Sequence, residues 1–224
     1  MAERSFIPAL RYNWLTKFYD FLLGITFPEK KIKHALIKQC MFNGNENLLD
    51  FGTGTATLSL LIKQQYPNIS VTGIDVDGKI LEIAREKGGS VIQLQQYDGS
   101  HIPFAENTFD KIISSLVFHH IPTTNKKVVL RELYRILRPG RELHIADFGK
   151  AKNLYTKLAF GIFRRMDGEE NTRVNSRGLL PDYIQNAGFR NVEETRYFNT
   201  LFGTIKLIRA IKNEQPTLPN HSAV

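Results

Sequence analysis

The chain has 224 residues, enough to bury roughly 70% of its unfolded surface in one core without disulfides, and its one cysteine, Cys40, excludes an internal disulfide framework. Charge interrupts every apolar run of the opening MAERSFIPALRYNW before a secretory core of about 7–15 residues forms, and no uncharged apolar stretch reaches the roughly 18 residues of a membrane span. The formal charge of +8 is uneven: residues 1–40 carry 7 Lys/Arg against 3 Asp/Glu, residues 41–149 carry 11 against 12, and residues 150–224 carry 12 against 7. One cytoplasmic domain with basic appendages around a neutral middle is expected.

In chain order, residues 12–42 read as one or two helices. Trp14, Phe18, Phe21 and Leu22 fall near helical spacing, with Gly24 and Pro28 as interruptions, so residues 1–42 form a helical cap or lid. From Leu48 short apolar runs alternate with helical stretches: LLDF, TLSLLIKQQY, VTGID, GKILEIAREK, VIQLQQYD, FDKIISSLVF, NKKVVLRELYRIL and ELHIADF. Strands separated by helices of about 10–15 residues imply crossovers on a parallel sheet, hence a doubly wound α/β fold with helices on both faces. An apolar and basic stretch, LYTKLAFGIFRRM, lies within a lid insert at 150–175 before a last helix, LLPDYIQNAGF, that closes on Gly188. VEETRYF and GTIKLIRAI bring the strands to seven. The short link around Asn199–Gly203 makes these two antiparallel neighbours, because a parallel crossover needs a dozen or more residues. The main domain is placed at 43–213 and a disordered tail at 214–224.

The turn LLDFGTGTATL leaves a strand at Asp50–Phe51 and enters a helix, where backbone passes close to a ligand. A dinucleotide fingerprint has its last small residue at G-x-G-x-x-G/A. Here that position is Thr57, and Ala56 gives the shorter G-x-G-x-A. Asp50 puts a carboxylate at the strand end, which would repel a pyrophosphate but not a sulfonium or ammonium. Asp75 closes the next strand, 21 residues after Gly54, where a carboxylate can accept both hydrogen bonds of a ribose diol. Asp77 is the better N-cap for the helix that follows.

With Asp98 after the third strand and the terminal hairpin, these residues resemble the class I S-adenosylmethionine-dependent methyltransferases from about Asn47 to Lys212. IPFAENTFDKIISS, LRELYRILRPGREL and FGTIKLIRA are similar to the ubiquinone/menaquinone-biosynthesis branch. The resemblance implies S-adenosyl-L-methionine as cofactor. It sets the turn Asp50, Gly52, Thr53, Gly54 and Ala56 against the methionine part, Asp75 and Val76 at the ribose, Asp98–Gly99 at the adenine, and Ser115 close by. Gly52 and Gly54 could otherwise merely serve a tight turn, and Asp98 could merely begin one with Gly99.

Methyl transfer displaces a neutral thioether, so the protein chiefly holds the reactants in line and excludes water; no catalytic triad is expected. A base is needed where the nucleophile must lose a proton, and His119 and His120, just past strand four, are the candidates. The competing reading is that they cap the next helix or contact the cofactor. Asp147, ending strand five, is a second candidate wall of the site. The chain has SLVFHHIP where exocyclic-amine methyltransferases carry an Asn/Asp-Pro-Pro-Tyr/Phe stretch, and Cys40 lies outside the core motifs. No cluster has metal-ligand spacing, so no metal is expected.

The flanks 1–42 and 150–185 combine Trp14, Phe18, Tyr19, Phe160 and Phe163 with Arg11, Lys17, Lys157, Arg164 and Arg165. They read as a packed lid, or as a surface for a greasy acceptor or anionic lipid. Nucleic acid is not the expected partner, for the charges make no continuous stripe. The expected function is transfer of a methyl group to carbon or oxygen of a small apolar or amphipathic acceptor. The alternatives are an NAD(P)-dependent oxidoreductase and a catalytically silent cofactor-binding subunit; the oligomeric state has no sequence signal.

Overall fold

A computed structural model describes residues 28–88, 90–150, 174–175, 177–200 and 203–214. The expected helix over residues 12–27, nearly all of the 150–175 insert, including residues 154–166, and the tail from 215 lie outside them.

Helix α1 (Glu29–Cys40) follows Pro28 and leads to β1 (Asn47–Phe51), α2 (Thr57–Gln65), β2 (Ser70–Asp75), α3 (Gly78–Gly88) and β3 (Gln93–Gln96). Next come β4 (Phe109–Ser115), a 3-10 turn (Phe118–His120), α4 (Thr123–Ile136), β5 (Leu137–Gly149), α5 (Leu180–Asn186), β6 (Arg190–Thr200) and β7 (Gly203–Ile211). The sheet has seven strands in the order β3-β2-β1-β4-β5-β7-β6. Pairings are parallel as far as β5, and β7 runs antiparallel to both β5 and β6. The doubly wound expectation and the terminal antiparallel hairpin both hold.

The central strands are buried on both faces, which is why LLDF and KIISS read as continuous rather than alternating apolar runs. Their side chains divide at a period of two. Leu48, Val71, Ile113, Ala146 and Leu207 pack against Ile32 and Leu36 of α1, Leu58 and Ile62 of α2 and Ala84 of α3. Leu49, Phe51, Ile74, Ile112 and Ile145 face Val129, Leu130 and Leu133 of α4 and Leu180 and Ile184 of α5. Two helical layers thus clamp the sheet.

Local signals act where expected. Asp77 Oδ1 accepts the Lys79 N–H at 2.9 Å, capping α3. Gly188, at φ +110°, closes α5 with its N–H on Gln185 O. Two boundaries differ. The expected strand VIQLQQYD shrinks to Gln93–Gln96, an exposed edge with few apolar side chains to bury. β5 begins at Leu137, directly after α4, and the RPGR segment bows out of the ladder, with Gly140 at φ +71° donating to Lys212 O.

Candidate active site

The carboxyl ends of β1, β2, β4 and β5 meet on one rim, the face where an open α/β sheet receives ligands. In the turn after β1, Gly52 and Gly54 adopt φ +70° and +55°, and Ala56 follows at +57°. The N–H groups of Gly52 and Thr53 both donate to Ile74 O at 2.9 Å, stitching the turn to β2. A Cβ on Gly52 would stand 2.4 Å from Val117 Cγ2, whereas one on Gly54 would meet nothing within 4 Å. The first glycine is required by packing, and the second borders open space.

Asp50 differs in orientation from the sequence expectation. Its carboxylate is 2% exposed and accepts hydrogen bonds from Thr53 Oγ1 (2.9 Å) and Ser59 Oγ (2.6 Å), beneath the turn and not at its mouth. Burial pushes its carboxyl up, against the pull of the Ser59 and Thr53 hydroxyls. Gly73 of β2 leaves the space that Thr53 fills, since a Cβ there would come within 2.8 Å of Thr53 Oγ1. Asp50 and Thr53 thus shape the loop from below.

Asp75 reaches across to that loop. Its Oδ2 accepts the Gly54 N–H at 2.9 Å and its Oδ1 the Asp77 N–H at 3.1 Å, leaving further lone pairs on a half-exposed carboxylate. Val76 beside it is 40% exposed. The Gly99 Cβ position lies 3.5 Å from Val76 Cγ1, so the Asp98–Gly99 loop abuts it. Asp98 does begin a turn: its Oδ1 accepts from Ser100 N, Ser100 Oγ and His101 N. The backbone bonds from Ser100 and His101 hold its carboxyl down at about 2.

β4 ends at the half-exposed Ser115, and Leu116, at φ +61°, turns the chain sharply into the 3-10 segment. There Asp147 of β5 acts as a hub, 1% exposed. Its Oδ2 accepts the N–H groups of Val117 (3.0 Å) and Phe118 (2.7 Å); its Oδ1 meets His119 Nδ1 (2.9 Å), Phe148 N (2.7 Å) and Asn175 Nδ2 (3.1 Å). Burial is the largest single influence on this carboxyl and pushes it up, yet His119, its hydrogen bond, the Phe148 N–H and His120 together hold it below the ordinary value. An ionised partner makes Nδ1 of His119 the donor of this contact. His119 is 4% exposed and packed edge-on against Phe148; His120 is exposed. The structure joins His119 to Asp147 and lays the His120 ring against that of His119, centroids 3.9 Å apart.

Two residues escaped the sequence. Lys126, fully buried on the first turn of α4, donates to Ile121 O, and burial lowers its amine to about 8 against the opposing pull of Asp147. Its helical spacing marks it only as part of a solvated face. Asn175, 28 residues from Asp147, has no sequence signal. Its Oδ1 is buried without a hydrogen-bond partner, a state that costs about 1–3 kcal/mol. Among the described residues no group of three or more His, Cys, Asp or Glu could hold a metal ion, and no helix is long and apolar enough to cross a membrane.

Comparisons with known proteins agree with this geometry. The methyltransferase domain family matches residues 48–140. The chain is 30% identical over 188 residues, 75% of each chain, to the ubiquinone/menaquinone biosynthesis C-methyltransferase of Nitrosospira multiformis. It is 30% identical over 161 residues to the demethylmenaquinone methyltransferase of Thermus thermophilus, covering 70% of this chain and 68% of that one. In fold it is similar to the YcgJ protein from Bacillus subtilis, with a TM-score of 0.67 at 15% identity over 83% of this chain and all of that one. Neither the oxidoreductase nor the silent-subunit alternative is favoured by these matches. The neutral core, the G-x-G-x-A turn and the relatives converge: this chain belongs to the ubiquinone/menaquinone-biosynthesis branch of the class I methyltransferases and is an enzyme that uses S-adenosylmethionine.

Proposed function

We propose that the enzyme methylates a ring carbon of a small hydroxylated aromatic acceptor, with His119 as the base. The observation that carries this reading is the His119–Asp147 pair on the rim that holds the glycine turn. Methylation of a ring carbon removes a ring proton, and an imidazole whose Nδ1 is held by a buried carboxylate can take it on Nε2. Bound S-adenosylmethionine supplies a methyl group activated by its positive sulfur. The site residues fit that ligand. The open space above Gly54 suits a close backbone approach, and the uncommitted lone pairs of Asp75 suit a diol. Val76 and Gly99 form an apolar ledge for a base, with Asp98 at its edge. Gly52, Thr53 and Ser115 complete the frame, and Asp50 supports it from below. His120 stands at the mouth, where it contacts the acceptor rather than deprotonating it.

In this reading the cap 1–42, the domain 43–213 and the lid 150–175 work together: α1 of the cap anchors it on the sheet, and the cap residues before α1 frame the acceptor with the lid. Their mix of aromatic and basic residues supports a peripheral contact between a cytoplasmic enzyme and an anionic lipid surface, from which a greasy acceptor is drawn. Co-sedimentation with anionic liposomes tests this against protein lacking residues 1–27.

Calorimetry tests the site. S-adenosylmethionine and S-adenosylhomocysteine are expected to bind, NADH and NADPH are not, and Asp75→Ala abolishes binding. His119→Gln should lower kcat by about 10²–10⁴-fold with S-adenosylhomocysteine binding unchanged, and His120→Gln by less than about tenfold. Equal kcat values for the wild type and His119→Gln would remove the base.

A further inference from the structure

We propose that Asn175 touches the methyl acceptor: its amide nitrogen holds Asp147, and its amide oxygen accepts a hydrogen bond from an acceptor hydroxyl. The proposal rests on the reading above that the acceptor is a hydroxylated ring. The Asn175 side chain is fully buried, and its Nδ2 donates to Asp147 Oδ1 at 3.1 Å and to Phe148 O at 3.3 Å. Both neighbours are acceptors, so the amide is fixed in this orientation; the flipped form would set its oxygen against two others. Oδ1 is consequently directed away from them, and it is the one buried side-chain polar atom among the described residues without a partner. Native interiors rarely leave such an atom unpaired, and a ligand that supplies the missing donor explains this one.

The location makes the donor a substrate group. Asn175 Nδ2 and His119 Nδ1 meet the same oxygen of Asp147, so the orphan acceptor and the imidazole flank one carboxylate at the end of β5. An amide oxygen accepts only. It welcomes an O–H and repels a carbonyl or ether oxygen, and a hydroxyl donating to it leaves its ring richer in electrons at the neighbouring carbon. Asn175 therefore acts at once as a positioning residue for Asp147 and as the reader of the hydroxyl.

The test uses the full chain saturated with S-adenosylhomocysteine and two probes, 1,4-dihydroxynaphthalene and 1,4-dimethoxynaphthalene, with binding read by calorimetry. Wild-type protein should prefer the dihydroxy ring by at least about tenfold, because a site built for a hydroxyl rejects the analogue that lacks it. Asn175→Leu, similar in volume, should lose that preference. Asn175→Ala should lose it likewise, with turnover slowed by loss of the amide on Asp147, and it serves as the comparison should the leucine variant not fold. Retention of the preference by Asn175→Leu, or its absence in wild type that binds S-adenosylhomocysteine, overturns the proposal and leaves the cofactor site standing. Failure of wild type to bind S-adenosylhomocysteine would instead remove the reading on which it rests.

Discussion

Gly52 and Gly54 sit two residues apart in one turn and answer to different constraints. A methyl group on Gly52 would stand 2.4 Å from Val117 Cγ2 and 2.7 Å from Cγ1, at a φ of +70° that side chains resist. Gly52→Ala should therefore lower stability by about 2 kcal/mol through overpacking, which for a chain of this size is a fall in Tm of roughly 4–8 °C. Val117→Ala in the same chain should recover part of it, since the three nearest atoms all belong to that side chain. Gly54→Ala meets no atom within 4 Å, so its folding cost is the left-handed backbone, about 1–2 kcal/mol. Its methyl enters the space proposed for the cofactor, and affinity for S-adenosylhomocysteine should fall by at least about tenfold. Thermal melts and calorimetry on the three variants separate the roles; a Gly54→Ala protein that binds like wild type would place the ligand elsewhere. The sequence marks both glycines alike, because spacing reveals that a turn needs positive φ and not which neighbour crowds it. Asp50 shows the same limit. Its position at the strand end is legible, but the inward rotation depends on Ser59 and on the space left by Gly73, which lie outside the motif.

At the scale of elements, the strands and their order follow from apolar runs and link lengths, whereas the polar contacts that lock three strands together do not. Glu142 of β5 reaches Lys111 of β4 at 3.0 Å, Arg209 of β7, and the fully buried His144 two residues along its own strand, which Gln39 of α1 also bonds. ELHIADF reads as a strand, but its register against DKIISS and TIKLIRAI, which brings these charges together, is a product of the assembled sheet. The hydrogen bond from His144, resisted by burial and aided by Arg209 and Lys111, holds the Glu142 carboxyl far below its usual value of 4.5. As pH falls below about 4.5 the unfolded chain takes up that proton before the folded one does, so this part of the stability is present above 4.5 and lost below it. Burial lowers the His144 pKa from 6.5, despite the pull of Glu142, and the sign is the same: the unfolded chain binds the proton first as pH drops below 6.5. Tm should accordingly decline in two stages, below about pH 6.5 and again below about 4.5. Glu142→Gln should cost about 3 kcal/mol at neutral pH, since it leaves Lys111 and Arg209 without their partner, and should flatten the lower stage. Equal acid slopes in the two proteins would mean that other carboxylates carry the effect.

The molecule as a whole contains one cysteine, and its placement makes it a reporter of how the fold opens. Cys40 ends α1 with no exposed surface, its thiol donates to Leu36 O at 3.2 Å, and burial raises its pKa far above the ordinary range. Only a thiolate reacts, so iodoacetamide at pH 8 should leave the native protein unmodified over times that label the urea-unfolded chain completely. The rate of slow native labelling then measures the opening reaction. Cys40 belongs to the core shared by α1, α2 and the sheet, and Gln39 beside it bonds both His144 and Ile208 O. α1 is therefore tied to β5 and β7, and exposing its last residue should require the sheet to come apart. S-adenosylhomocysteine binds the folded chain and not the unfolded one. At about 100 times its Kd it adds about 2.7 kcal/mol, which slows labelling by about 100-fold if exposure needs global unfolding. Mass spectrometry at intervals gives the two rates directly. Labelling that the ligand does not slow would show that α1 detaches alone while the rim stays formed, with its stability decoupled from the sheet it covers.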